Sequence, residues 1–213
     1  ECNVIHTCRK IAEAGAKAVH LEDQTFPKRS GHFSGKDVIP FDDYLRKVRA
    51  AVDALAGTDC MLIARTDAYN VLGKEEAIRR CNAAIEAGAD MTLCDGADSK
   101  EALKEIGQRI NGKKMFGMVI NGASPKVTFE ELTSWGFDLI TCHFAQDAAL
   151  SGMEMLGPQI LKAMNDLPLT DCPGMERDFF SPRYLTGLNE WIALGQKYNS
   201  NIKDAGWILA KEQ

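Results

Sequence analysis

Residues 20–35, HLEDQTFPKRSGHFSG, bring together side chains suited to acid–base and anion chemistry. They include two adjacent acids (Glu22, Asp23), two bases (Lys28, Arg29), a hydroxyl (Ser30) and two imidazoles (His20, His32), with Gly31 and Gly35 bracketing the end. The stretch continues an apolar run, AKAVHLE, that reads as a buried strand, and α/β proteins bind ligands at the carboxyl ends of their strands. Glu22 and Asp23 could hold a divalent cation through oxygen, since Mg²⁺ needs one or two carboxylates and several waters. The alternative is that one acid caps the loop and the other pairs with Lys28 or Arg29. Ser30 and His32, two apart on a Gly-flanked loop able to close over a small anion, suggest a proton donor or nucleophile with a base nearby. A hydroxyl is a poor acid unless something polarises it. His20 lies within the strand, either facing a barrel lumen or hydrogen-bonded in the core.

Further polar residues stand at the ends of later apolar runs. Arg65 closes CMLIAR, where its planar fork suits a substrate carboxylate in a way Lys cannot copy; a salt bridge to Asp67 or Glu22 is the competing role. Asp95 follows DMTLC and either begins a turn with Gly96 or touches a ligand. His143 follows the last such run, and GASP at 122–125 reads as a turn before a helix.

Five runs of this kind alternate with helical patterns. Strands are expected over 16–22, 60–65, 90–94, 114–120 and 137–142, and helices over 1–14, 41–55 after Pro40, 74–87, 99–110, a short one after Thr128 and 145–165. Ser99 and Thr128 read as N-caps, the latter with Glu131 completing a capping box. A loop at 168–182 precedes two helical pieces around Trp191 and Trp207. The alternation predicts a parallel sheet with helical crossovers, and the recurring turns AGAK, AGAD and WGFD favour a (β/α)8 barrel, of which three strands are unaccounted for.

The chain has 213 residues, 45% hydrophobic and 26% charged, as expected for one soluble globular core. A net charge of −5 gives no basic face for nucleic acid, and no apolar run approaches the roughly 20 residues that cross a bilayer. Seven scattered cysteines without a CxxC pair indicate neither a disulfide framework nor a zinc site. No GxGxxG or P-loop follows a strand. The first residues already read as a helix without a Met start or signal pattern, so the chain is expected to begin in mid-fold.

The segments VHLEDQ, PKRSGH, IARTDA and the AGAD turn resemble the isocitrate lyase and phosphoenolpyruvate mutase superfamily, most closely its small lyase branch of methylisocitrate lyases, dimethylmalate lyases, oxaloacetate acetylhydrolases and petal-death-type enzymes. The resemblance implies an α/β fold, a (β/α)8 barrel of which this chain shows strands four to eight within residues 1–167. A C-terminal helical segment, 168–213, would pack on the barrel or on a neighbouring subunit. The first three strands, with the family's metal-binding aspartates, are expected upstream of Glu1.

The activity implied is a C–C bond lyase, or a related hydrolase or mutase, dependent on Mg²⁺ or Mn²⁺. It would act on a small 2-hydroxy or 2-oxo di- or tricarboxylate through an enolate-like intermediate. By the same resemblance Glu22 would hold the metal, mainly through water, and Arg65 would grip the substrate carboxylate with Gly31, Asp95 and His20 nearby. Lys28, Arg29, Ser30 and His32 would form the catalytic gating loop, with Ser30 in the place of the family's protonating Cys. The protein would be a cytoplasmic homotetramer exchanging helices that carry Trp191, Ile192, Leu194, Trp207 and Ile208, with no nucleic-acid or membrane partner. Three departures stand out: Ser30 for Cys, Asp95 for the usual Glu, and Gly117 and Ile120 for the usual Asn and Glu. They keep open a second expectation, a diverged member without lyase activity that binds, scaffolds or performs other chemistry.

Overall fold

The computed structural model describes residues 1–30, 35–119, 122, 124–164, 193, 194, 197 and 198. The chain divides into two compact units, residues 1–147 and 148–213. The first unit holds five parallel strands, each hydrogen-bonded to the next in chain order, as a half-barrel. They are β1 (Ala18–Glu22), β2 (Met61–Thr66), β3 (Met91–Cys94), β4 (Lys113–Met118) and β5 (Leu139–Cys142). The helices are α1 (Cys2–Glu13), α2 (Phe41–Leu55), α3 (Tyr69–Leu72), α4 (Lys74–Glu86), α5 (Lys100–Arg109), α6 (Phe129–Ser134) and α7 (Phe144–Ala163). The single-turn α3 was not foreseen. The second unit begins within α7, and no helix among the described residues is long and apolar enough to cross a membrane.

Local sequence accounts for the element ends. Ser99 accepts the Ala102 N–H at the start of α5, and Thr128 and Glu131 form the full reciprocal box at the start of α6. Pro40 opens α2, whose buried Tyr44, Val48, Ala51 and Leu55 repeat at helical spacing against β1 and β2. The AGAD turn needs its glycine: Gly88 has φ +104°, and a Cβ there would lie 3.0 Å from Val52 Cγ1. The acid of the turn caps the neighbouring strand, Asp90 accepting the Leu62 N–H at 2.8 Å and Asp138 the Lys114 N–H at 2.8 Å.

Strand alternation divides the core. Outward residues of the sheet pack with α1, α2 and α4 in one apolar cluster around Tyr44, Val48 and Leu62, and with α4, α5 and α6 in another around Leu103, Ile106 and Phe116. Inward residues Ile63, Met91, Leu93 and Met115 make a small separate cluster that floors the lumen. The ladder is uneven. β1 and β2 share five register pairs and β2 and β3 four, whereas β3 and β4 share only Met91↔Lys113 and Thr92↔Lys114 at their amino ends. Cys8, Cys60, Cys81 and Cys94 are buried and reduced, as small apolar residues would be.

Candidate active site

The register pairs Glu22 with Arg65 at the carboxyl ends of β1 and β2, and the period of two puts both on the lumen face with His20 and Ile63 below them. Asp95 stands just past β3, Gly117 near the end of β4, and Thr141 and His143 at the end of β5. His20, Arg65, Asp95, Gly117, Thr141 and His143 line a cavity of about 490 Å³ with Lys28, Ser30, Leu93, Met115 and Val119, and Glu22 is joined to it through its pairs with Lys28 and Arg65.

Arg65 is the electrostatic centre. Its Nε and Nη2 donate to the two oxygens of Asp67 at 2.8 and 2.9 Å, Nη2 lies 2.5 Å from Asp95 Oδ2, and Nε lies 3.6 Å from Glu22 Oε2. Burial opposes the guanidinium charge, but the bond to Asp67 and the charges of Asp95, Asp67 and Glu22 outweigh it and raise the Arg65 pKa. Asp67 is fully buried. Burial alone would raise its carboxyl pKa; the bond and charge of Arg65, a bond from Gln24 and the charge of Lys36 prevail and lower it. Glu22, besides Arg65, pairs with Lys28 at 3.1 Å. Both pairings that competed with a ligand role for Arg65 in the sequence, Asp67 and Glu22, are therefore made, and so is the Lys28 pairing weighed for the acids.

Asp23, one residue on, points through the sheet. Its Oδ2 accepts from Thr66 Oγ1 at 2.5 Å and Arg80 Nη1 at 2.9 Å, and its Oδ1 from the Asp67 N–H at 2.9 Å. Arg80 completes itself on Glu76 at 3.1 Å and stacks 5.8 Å from the Tyr44 ring centre. Asp23 is thus a structural anchor, which removes it from the pair considered for the metal: its oxygens are spent on three donors and it has no exposure.

His20 faces the lumen, so its reading as a hydrogen-bonded core histidine is corrected: it is exposed and makes no hydrogen bond among the described residues. Burial of part of the ring, then the charge of Arg65, lower its pKa against an opposing pull from Glu22. Asp95 accepts the Gly96 N–H at 2.8 Å, in keeping with its expected turn role, and it also pairs with Arg65. The GASP residues Gly122, Ser124 and Pro125 line a second cavity of about 350 Å³ with Phe116, Met118 and Lys126. Gly31, His32 and Ile120 lie outside the described residues, as do Trp191, Ile192, Trp207 and Ile208.

Gly117 is not demanded by its backbone. A Cβ there would meet only Thr141 Oγ1, at 3.7 Å, so the missing side chain is lumen space. The Thr141 hydroxyl is buried without a hydrogen-bond partner among the described residues. Sequence reasoning missed Gln24, Lys36 and Arg80. The Gln24 amide clasps both the N–H and the carbonyl of Arg29 at 3.0 Å, and Lys36 lies 3.4 Å from Asp67 with a buried ammonium. Position on a polar loop or in a charge-rich helix gave no signal for any of them.

Among the described residues no three His, Cys, Asp or Glu side chains gather into a set that could hold a metal. Glu22 offers a single half-buried carboxylate, already paired with Lys28 and Arg65, enough for one ligand of a water-rich magnesium site and no more.

The family model described as phosphoenolpyruvate phosphomutase matches residues 2–161. The petal death protein of Dianthus caryophyllus is 42% identical over 138 residues, 65% of this chain and 43% of that protein. The crystal structure of 2,3-dimethylmalate lyase, a PEP mutase/isocitrate lyase superfamily member, matches with a TM-score of 0.80 and 31% identity, covering 96% of this chain and 68% of that one. The phosphonopyruvate hydrolase structure in complex with oxalate and Mg²⁺ matches with a TM-score of 0.75 and 25% identity, covering 92% and 68%. The chain spans about half the length of the curated relatives it matches. Strand order, the lumen cluster around Arg65 and these likenesses agree: the chain belongs to the phosphoenolpyruvate mutase/isocitrate lyase superfamily.

Proposed function

We propose that the protein is a carbon–carbon lyase, or a closely related hydrolase or mutase, acting on a small 2-oxo or 2-hydroxy di- or tricarboxylate through an enolate-like intermediate. One observation carries this reading: a half-buried guanidinium stands at the carboxyl end of a half-barrel, in one cavity with Asp95, His20, Lys28 and Ser30, and Glu22 lies 3.6 Å from its Nε. Arg65 anchors the substrate carboxylate, being held rigid by Asp67. Glu22 serves as a ligand of Mg²⁺ or Mn²⁺, reached mainly through water, with further ligands from outside the described residues. When bound, the metal supplies positive charge against the oxygen on which the enolate develops. Lys28 and Ser30 border the same cavity, and Arg29, Gly31 and His32 neighbour them in sequence. In this reading Ser30 delivers a proton to the carbanion, though as a far weaker acid than the thiol in its place in the lyases.

The decisive assay is cleavage of malate-like and isocitrate-like substrates by the full-length protein with and without Mg²⁺. Turnover that disappears with chelator and with Arg65→Ala is expected; no turnover of any such substrate at high enzyme concentration overturns the reading. The second reading, a diverged member that binds or scaffolds, draws on Ser30, Gly117 and Asp95. It gains if activity arises only in the triple variant Ser30→Cys, Gly117→Asn, Ile120→Glu.

We also propose a cytoplasmic homotetramer exchanging C-terminal helices. The exposed Leu150, Met153, Met155, Leu161 and Met164 of the second unit favour an apolar subunit contact. Sedimentation of the full-length protein as a monomer would refute it.

A further inference from the structure

A guanidinium has five N–H donors on a planar fork, and the use of each donor on Arg65 can be traced. Asp67 takes the Nε–Nη2 edge with both oxygens. The edge left for an incoming carboxylate is Nη1–Nη2. Nη1 has no partner among the described residues, but Asp95 Oδ2 sits 2.5 Å from Nη2. Asp95 is only 20% exposed at its side chain, Arg65 17%, so the pair is poorly screened by water. A carboxylate ligand that grips this edge with two oxygens must bring one of them to the nitrogen that Asp95 Oδ2 already contacts, an ion pair outside hydrogen-bond geometry.

We propose that Asp95 is an internal competitor for the Arg65 fork, and that its displacement from Nη2 limits how tightly the site holds a carboxylate. This rests on the reading of Arg65 as the carboxylate anchor. Asp95 is then a positioning residue acting through Arg65, and a specificity determinant. Ligands whose carboxylate engages the fork with two oxygens must displace it, while ligands that reach Nη1 alone need not. Asp67 cannot play this part, because it is fully buried and also tied to Lys36 and to the Asp23 network.

The test is calorimetric titration of the full-length protein with oxalate in MgCl₂. Asp95→Asn keeps the shape and removes the charge, and is expected to tighten oxalate binding about tenfold through loss of a close like charge. Asp95→Glu keeps the charge and is expected to stay within about threefold of wild type. In an Arg65→Lys background, where no fork exists to be freed, Asp95→Asn is expected to gain less than about twofold. Thermal melting checks folding, and Asp95→Ser replaces the Asn variant if that one fails to fold.

Oxalate binding to wild type with no gain, or a loss, in the Asp95 variants overturns the proposal and leaves the Arg65 anchor standing. An equal gain in the Arg65→Lys background also overturns it, because the charge then acts without the fork. Failure of oxalate to bind any form, or undiminished binding to Arg65→Lys alone, overturns the anchor and the proposal together.

Discussion

Glu22 and Asp23 are adjacent acids of the same strand end, yet they belong to different chemistries. Asp23 is sealed behind the sheet with Arg80, Thr66 and the Asp67 N–H, every oxygen satisfied at 2.5 to 2.9 Å. Glu22 faces the lumen, where Lys28 and Arg65 approach it at 3.1 and 3.6 Å and solvent still reaches it. Both sites pair a carboxylate with a guanidinium, and burial decides what the pairing does. Behind the sheet, no water is available to replace a lost partner, so the pair holds the fold together. In front, the Glu22–Lys28 pair keeps contact with solvent, Glu22 21% and Lys28 52% exposed, so it can exchange for a ligand. Asp67 joins the two regions: its backbone N–H belongs to the rear network and its carboxylate to the front one.

Breaking the rear pair gives the largest effect. Arg80→Met leaves Asp23 buried and unpaired and is expected to cost about 3–5 kcal/mol in urea unfolding. A cost under about 1 kcal/mol would erase the distinction between the two regions. Arg65→Lys keeps the charge but loses the fork, and should weaken oxalate binding roughly 30-fold by calorimetry while changing stability far less than Arg80→Met does.

Glu22→Gln sharpens the contrast from the other side. Its partly solvated pairs are expected to cost about 1 kcal/mol or less in unfolding when lost, while Mg²⁺-dependent oxalate affinity should fall about tenfold. The smallest effect is a pH dependence at His20. Its pKa in the fold is lowered from 6.5, so the unfolded chain takes up the proton first. Its contribution to stability is complete above about 6.5 and declines as pH falls from there through the lowered value. His20→Asn should flatten that part of a Tm-versus-pH curve, and an unchanged curve would assign the slope to other groups.

The sheet was legible because buried parallel strands are continuous apolar runs and their turns repeat, and because Ser99, Thr128 and Glu131 cap helices through contacts three residues apart. The lumen positions of His20, Glu22 and Arg65 follow from a period of two once the strand is placed. The Glu22–Arg65 pair was foreseen, but the long-range partners of the helix and loop cations could not be read. Arg79 and Arg80 are neighbours on α4, and only the packing of that helix on the sheet sends Arg80 to Asp23, 57 positions away, while Arg79 stays outside over Phe41. Lys36 and Gln24 looked like loop polarity until the antiparallel Gln24↔Val38 bridge drew both stems of the loop toward Asp67.

The short ladder between β3 and β4 bears on how one architecture serves several carboxylates. Their register pairs lie only at their feet, below a rim where Asp95 stands on one bank and Gly117 on the other. The Glu22–Arg65 bank, by contrast, is paired along all five residues of β1, so of the two banks that line the lumen it is the one the backbone holds in register up to its rim.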